Sequence, residues 1–376
     1  LSLEEVFIKV KESGHDIFAV TDINNTSACM YALKEASNYG LQAAVGVDFR
    51  NGVSQQYICI ARSCSGLKEI NDHLSFHLIN SLPFSNKAPN FENVFVVYPF
   101  GNHPPLSELK DYEYIGLKPN QIASLYQYQF HSLEAKLVIL QTASFRNKKD
   151  HNAHRLLRAI DSNSLLSQHP VNQQAMISDL YLSVDEIKKL FEDIPKSIQN
   201  TTKLLERSLF NLDFETNKNK NPYTNSISTD LELLKAKSLE GMNYRYGKTK
   251  PKKVMERLHK ELNMIEQLEF GSYFLINWDM VQYARQRGFY YVGRGSGANS
   301  LVAYLLRITD VDPVELDLYF ERFINPYRSS PPDFDIDFSW TDRNEITQYL
   351  FNTYGLNKTA LVGTYITFKH KSIFRE

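Results

Sequence analysis

Pro331-Pro-Asp-Phe-Asp-Ile-Asp-Phe338 is the densest chemical signal in the chain: Asp333, Asp335 and Asp337 alternate with Phe334, Ile336 and Phe338. On a β-strand alternate side chains share a face, so the pattern predicts three carboxylates projecting together, with an apolar face behind them. Like charges that close repel and raise each other's pKa values, so the arrangement gains nothing unless a cation sits there. Carboxylate oxygens with water suit Mg²⁺ or Mn²⁺. The competing reading is a solvated acidic edge strand. The continuous apolar face and the double proline weigh against it.

About 37 residues upstream lies Tyr291-Val-Gly-Arg-Gly-Ser-Gly-Ala-Asn-Ser-Leu-Val-Ala-Tyr304. A short apolar run enters a turn of Gly293, Gly295, Ser296 and Gly297, and a helix with Leu301, Leu305 and Ile308 follows. Small residues let backbone N–H groups approach phosphate oxygens, and a helix N-terminus adds a favourable dipole. Arg294 can add a charge-assisted fork. The turn lacks the Gly-Lys-Ser/Thr ending of a P-loop and does not fit G-x-G-x-x-G. Alone it is equally an ordinary strand-to-helix connection. A phosphate turn followed by a carboxylate strand, however, is the layout of a nucleotidyl transferase: one part holds a triphosphate, the other two metals about 4 Å apart. The segment between them adds Arg322, whose alternative role is a salt bridge to Glu321 or Glu315.

Outward from this region, 376 residues predict two to three domains. A hydrophobic share of 43% with 23% charged residues excludes a disordered or collagen-like chain. The net charge is −1, and residues 251–376 hold 15 Lys or Arg against 16 Asp or Glu, so any phosphate site must be local. Cys29, Cys59 and Cys64 form no C-x-x-C pair, which argues against structural zinc. No apolar run approaches 18 residues and no signal peptide is evident, so no membrane partner is expected. The chain opens Leu-Ser-Leu without Met and ends Ser-Ile-Phe-Arg-Glu, which reads as a piece of a longer protein.

The N-terminal region alternates helix and strand patterns. Leu3, Val6, Phe7 and Val10 mark a helix, 16–22 a buried strand, 26–39 a helix stopped by Gly40, and 41–48 a second strand. This β-α-β rhythm predicts parallel strands with helices outside, and further strands at 57–61, 94–98 and 137–140. Asp22 and Asp48 sit at strand carboxyl ends, where α/β folds gather their sites. Residues 150–210 read as helical. Residues 212–230 are a polar linker, and helices resume from 231, including 252–268 and 272–287.

The combination of words is specific. Tyr273-Phe-Leu-Ile, Gly293 to Tyr304, Ile308-Thr-Asp-Val-Asp-Pro313, Phe320-Glu-Arg-Phe-Ile-Asn-Pro326 and Pro332 to Phe338 occur in this order. The stretch from Tyr273 to about Tyr354 thereby resembles the palm of the bacterial DNA polymerase III alpha subunit family, the C-family replicative polymerases. The resemblance implies that Asp333 and Asp335 are metal ligands, with Asp337 ranked below them. It also implies that Arg294, Gly295, Ser296 and Arg322 contact the incoming triphosphate. It brings two Mg²⁺ ions, which Mn²⁺ could replace. It further brings primer–template DNA, dNTP, and a sliding clamp and other replicase subunits bound through regions outside this chain. The family's third catalytic aspartate falls beyond residue 376, so the piece alone is expected to be inactive. One departure stands in the turn: Gly297-Ala-Asn299 replaces the family's usual Ala-Ala-Gly.

Residues 1–205 resemble, more loosely, the family's polymerase-and-histidinol-phosphatase (PHP) domain. Thr21-Asp-Ile-Asn-Asn25 stands where the metal-binding form has Thr-Asp-His-x-Asn, and Asp48 replaces the usual Glu. Isoleucine cannot ligate a metal. Asp22 and Asp48 are therefore remnants of a degenerate site, and the PHP-like domain is expected to be structural. His15, His73, His77, His103, His151 and His154 show no ligand spacing. The expected fold is α/β: a PHP-type barrel-like domain lacking its first strand (1–205), a linker (206–230), a partial palm with a mixed sheet and helices (231–362), and the start of a thumb (363–376). The expected function is template-directed DNA synthesis in the bacterial cytoplasm at the nucleoid. The alternatives are a PHP-type metal-dependent phosphoesterase or exonuclease, an error-prone accessory paralogue, and a non-catalytic palm-shaped scaffold.

Overall fold

The computed structural model describes residues 2–125, 133–215, 221–247, 249–327, 332–356 and 358–363. The chain is mixed α/β and divides into two compact units, the first ending at Asp213 and the second beginning at Phe214. Among the described residues no helix is long and apolar enough to cross a membrane.

The first unit is built on one six-stranded sheet whose strands neighbour one another in chain order. They are β1 (Ile17–Ile23), β2 (Gln42–Asn51), β3 (Ser54–Ala61), β4 (Val94–Pro99), β5 (Glu113–Leu117) and β6 (Leu137–Ile139). β1 pairs parallel with β2, as the helix between them requires. The expectation of an all-parallel sheet fails at β3. Asn51 and Ser54 flank a two-residue turn, so β2 folds straight back into an antiparallel hairpin. β4 is again antiparallel to β3, and β5 and β6 run parallel to β4. β5 carries no long apolar run, which is why the sequence pattern passes over it. Helices α1 (Leu3–Glu12), α2 (Ser27–Glu35) and α3 (Cys64–Ile79) cover one face, burying Phe7, Val10, Ala32, Leu67 and Ile70 against Val45, Val47, Cys59 and Val96. Ser2 caps α1 in a capping box with Glu5, and Gly40 closes the turn after α2 at φ 67°.

A short α4 (Ile122–Leu125) follows β5, and α5 (Lys148–Asp161) and α6 (Val184–Leu190) follow β6. Beyond them α7 (Pro195–Glu206) contributes Leu204 to a cluster with Ala44, Ile58, Ile60, Phe95 and Val97 on the sheet's other face.

Several histidines of this unit bond the backbone or pack among rings. His15 Nε2 lies 2.9 Å from the Leu182 carbonyl, and His151 Nε2 lies 3.2 Å from that of Ala175. His154 accepts from the Ala175 amide at 3.0 Å. His73 sits among Phe49, Tyr57, Phe84 and His77, with the Tyr57 hydroxyl 2.8 Å from its Nε2. Burial, then the neighbouring His77, push the His73 pKa down to about 4. In the unfolded chain it titrates near 6.5. Between these values the unfolded state binds more protons, so stability falls as pH drops from about 6.5 towards 4. An NMR titration should place the His73 midpoint near 4, and His73→Phe should flatten the acid-side loss of stability. A midpoint near 6.5 contradicts the packing argument.

The second unit is mainly helical: α8 (Ile227–Tyr246), α9 (Lys252–Gln267), α10 (Gly271–Gln286), the one-turn α11 (Leu301–Leu305) and α12 (Arg343–Tyr354). α8 starts at 227, four residues before the sequence pattern resumes, because Ser226 caps it and buried Asp230 accepts the Tyr223 and Thr224 amides at 2.8 and 2.7 Å. Polar capping residues look like linker in a sequence but here belong to the helix. Gly241 lets α8 pack directly on α11: a Cβ there would stand 2.0 Å from the Leu305 carbonyl oxygen. Leu234, Met242, Leu258, Ile265, Phe274, Val281, Leu305 and Phe323 form the core. Against it lies a two-stranded antiparallel sheet, β7 (Tyr291–Arg294) and β8 (Asp335–Phe338). The expected thumb start at 363–376 falls outside the described residues from 364 onward.

Candidate active site

The register of the small sheet sets Tyr291 against Phe338, Val292 against Asp337, Gly293 against Ile336 and Arg294 against Asp335. The two motifs read separately in the sequence are therefore neighbouring strands. Exposure alternates along both: Val292, Arg294, Asp335 and Asp337 face out, while Tyr291, Ile336 and Phe338 are half-buried. Phe334 anchors the start of β8. Its ring contacts those of Tyr273, Phe274 and Phe323, and its amide donates to the Tyr273 hydroxyl at 3.0 Å.

The expectation of three carboxylates on one strand is corrected in part. β8 begins at Asp335, and Asp333 precedes it on irregular backbone. Asp333 is exposed, two residues from the strand pair. Among the described residues no three His, Cys, Asp or Glu side chains converge as a metal-holding group. Asp335 and Asp337 share a face, as the alternation predicts, and Arg294 is their common counterion. Its Nε donates to Asp337 Oδ2 at 2.5 Å, and its Nη1 lies 3.6 Å from Asp335 Oδ2. The two aspartates in turn hold the guanidinium pKa above its ordinary value, Asp337 most strongly.

Gly295 turns the chain out of β7 at φ 71°. A Cβ on it would lie 2.6 Å from Asp335 Oδ2, so the turn's backbone runs directly against this carboxylate. Only glycine leaves that space open. Ser296 follows, half-buried, in a 3₁₀ turn (Gly295–Asn299).

The expected dipole of the following helix is not directed at a ligand. Glu261 of α9, fully buried, accepts from the Leu301 amide (3.0 Å), the Val302 amide (3.1 Å) and the Ser300 hydroxyl (2.9 Å). Ser300 itself accepts the Ala303 amide. Arg257 pairs with Glu261 at 2.6 Å, and its Nη2 reaches the carbonyls of Asn299 (3.0 Å) and Leu318 (2.9 Å). Burial pushes the Glu261 carboxyl up, against the pull of Arg257 and the two amides. The sequence held a signal for it. Glu261 lies between Leu258 and Ile265 in the apolar stripe of α9, where an exposed glutamate does not belong.

Arg322 ends a 3₁₀ turn (Phe320–Arg322) and is exposed. Glu321 pairs instead with Lys260. Among the described residues Arg322 makes no ion pair, so the structural alternative read from the sequence does not hold. The segment leading to it is fixed by α8: Arg245 binds the Thr309 carbonyl and Asp310, and Tyr246 donates to Asp312 at 2.6 Å.

In the first unit the structure does not bring Asp22 and Asp48 together. Asp22 registers with Val47, and Asp48 with Ile23. Neighbours one position apart project to opposite faces, so the two carboxylates do not converge. β2 also continues to Asn51, so Asp48 lies within the strand and not at its end. Asp48 is buried, and its Oδ2 accepts from Arg50 Nη2 (2.6 Å), Arg50 Nε (2.9 Å) and Gln55 (2.9 Å). Arg50 stands where a cation would otherwise be required. Burial raises the pKa of Asp22, and the side chain of Ile23 is exposed.

Residues 232–376 match the family model described as the bacterial DNA polymerase III alpha NTPase domain. The chain is similar to bacterial DNA polymerase III alpha-type proteins, the family model matching its C-terminal region and the relatives extending further along it. DNA polymerase III subunit alpha of Borreliella burgdorferi is 29% identical over an alignment covering all of this chain and 37% of the relative. The Bacillus subtilis protein of the same name is 35% identical over 70% of this chain and 24% of its own length. An error-prone DNA polymerase of Rhodopirellula baltica is 38% identical over 52% of this chain and 17% of that protein. The chain thus spans between about a sixth and just over a third of the length of these relatives.

Proposed function

We propose that the protein containing this chain is a DNA-directed DNA polymerase, and that 291–338 carries its nucleotide-binding and part of its metal-binding chemistry. The observation that supports this best is the pairing of β7 with β8, which sets Gly295 against Asp335. Asp333 and Asp335 are the carboxylates proposed to hold Mg²⁺, Asp337 ranking below them. The donors are all oxygen, both are exposed, and a cradle that a Cβ would fill adjoins one of them, which suits a hard cation. Mg²⁺ held by Asp333 and Asp335 would supply Lewis-acid chemistry there, activating the primer 3′-hydroxyl and neutralising the leaving pyrophosphate.

The protein's own groups position and neutralise. Ser296 and the adjoining amides receive triphosphate oxygens, and Arg322, which makes no ion pair among the described residues, adds charge from a neighbouring turn. Arg294 neutralises Asp335 and Asp337 before nucleotide arrives. Its exposed, flexible arm then turns to the triphosphate, which frees both carboxylates. Primer–template DNA and dNTP are the proposed substrates, and a sliding clamp and other replicase subunits the partners, in a bacterial cytoplasm. The barrel-like PHP domain and the palm are the proposed identities of the two units. Primer extension by the full-length protein in Mg²⁺ tests this reading, and a folded protein that extends no primer overturns it.

The first unit is proposed to be structural, on the opposed faces of Asp22 and Asp48 and the occupation of Asp48 by Arg50. Its expected phosphoesterase activity with Mn²⁺ is at background, unchanged by Asp48→Asn. Hydrolysis that Asp48→Asn removes would revive the phosphoesterase alternative.

A further inference from the structure

We infer that the Arg257–Glu261 pair on α9 is the positioning device of the proposed nucleotide site, setting the Gly-Ser turn and the Arg322 turn in register with each other. The inference rests on the polymerase reading and adds residues outside the sequence words on which that reading rests.

A carboxylate with no exposed surface is costly unless it is paired and hydrogen-bonded, so Glu261 requires a reason to be there. Its four partners supply one. Three belong to the single stretch Ser300–Val302 directly after the turn, and the fourth is Arg257. Arg257 extends the reach in two directions, to the Asn299 carbonyl within the turn and to the Leu318 carbonyl just before the Arg322 turn. Lys260, on the same helix face by spacing, pairs with Glu321 beside Arg322. The Asn299 side chain then carries the constraint to the nucleotide side, donating to the Ser296 carbonyl at 2.9 Å. Asn299 is one of the two positions, with Gly297, at which the turn departs from the family pattern, and glycine there could not make this bond. One rigid helix therefore fixes both groups proposed to receive the triphosphate, and touches neither itself. None of these side chains is part of the carboxylate strand.

The test uses the full-length protein and pre-steady-state titration with dNTP on a fixed primer–template. Arg257→Lys keeps a charge beside Glu261 but cannot bridge both carbonyls. Asn299→Ala removes only the tether to Ser296. Glu261→Gln removes the charge, and a second measurement, the thermal midpoint, reports whether it folds. Folded variants should bind dNTP between about tenfold and a hundredfold more weakly. Maximal rate should change by less than about threefold and primer–template affinity should be unchanged, the pattern of lost positioning. Unaltered dNTP affinity in folded Arg257→Lys and Asn299→Ala overturns the inference. So does a parallel loss of dNTP and DNA affinity, which marks a merely structural pair. Wild-type protein without extension overturns the polymerase reading itself, and the inference falls with it.

Discussion

Asp335→Asn in the full-length protein is expected to reduce primer extension by at least about a thousandfold while leaving the fold intact, on the several kcal/mol that a metal-held charge contributes to such transition states. The geometry of the strand separates activity from stability. The Asp335 carboxylate is exposed on the outer face of β8, and its ion pair among the described residues is the 3.6 Å approach of Arg294. An exposed pair of that kind contributes little to stability, and Arg294 keeps its closer partner Asp337. Asparagine fills the same volume and leaves Phe334 and Ile336, which dock the strand, untouched. What it removes is half of the anionic pair that would hold Mg²⁺ against the turn. Asp337→Asn is the informative companion. It breaks the tighter contact to Arg294, so a loss smaller than that of Asp335→Asn supports the ranking of the two. Extension by Asp335→Asn within about tenfold of wild type would mean that the metal site lies elsewhere.

How much of this was legible beforehand follows the range of the forces involved. The alternation of Asp and aromatic residues on 333–338 is a period-two signal carried by neighbours in sequence, and it gave the exposed face of β8 and its apolar back. The strand's start was not legible, because what ends the irregular segment is the docking of Phe334 between Tyr273, Phe274 and Phe323, residues from two other segments. The helices at 252–267 and 271–286 were clear from their apolar stripes. That the first would send a buried glutamate into the next motif was not, since nothing local distinguishes a solvated glutamate from a satisfied one. In the first unit the β-α-β rhythm gave β1 and β2 correctly. The hairpin at Gly52 reversed the next strand, and with it the simple parallel picture. Asp22 and Asp48 looked like partners as residues at strand ends. A register offset of one residue puts them on opposite faces, and register is set by pairing, which no single stretch of sequence shows.

Gly295→Ala should separate catalysis from stability most sharply. At φ 71° an alanine pays about 1–2 kcal/mol for the left-handed backbone. Its Cβ would also come within 2.6 Å of Asp335 Oδ2, closer than such atoms approach. The backbone of the turn is pinned through Asn299 and Glu261, so the cheaper relief is rotation of the Asp335 carboxylate away from the turn. That movement costs little in folding but displaces the proposed metal ligand by about an ångström, a misplacement that costs on the order of a hundredfold in rate. Gly52→Ala is the matched control. Gly52 has φ 61° with nothing within 4 Å of an added Cβ, so it carries the same backbone strain and no collision. The two variants should lose similar stability, read by denaturant unfolding, and differ by about a hundredfold in primer extension. Equal extension by the two would show that the close approach of Gly295 to Asp335 has no part in the chemistry.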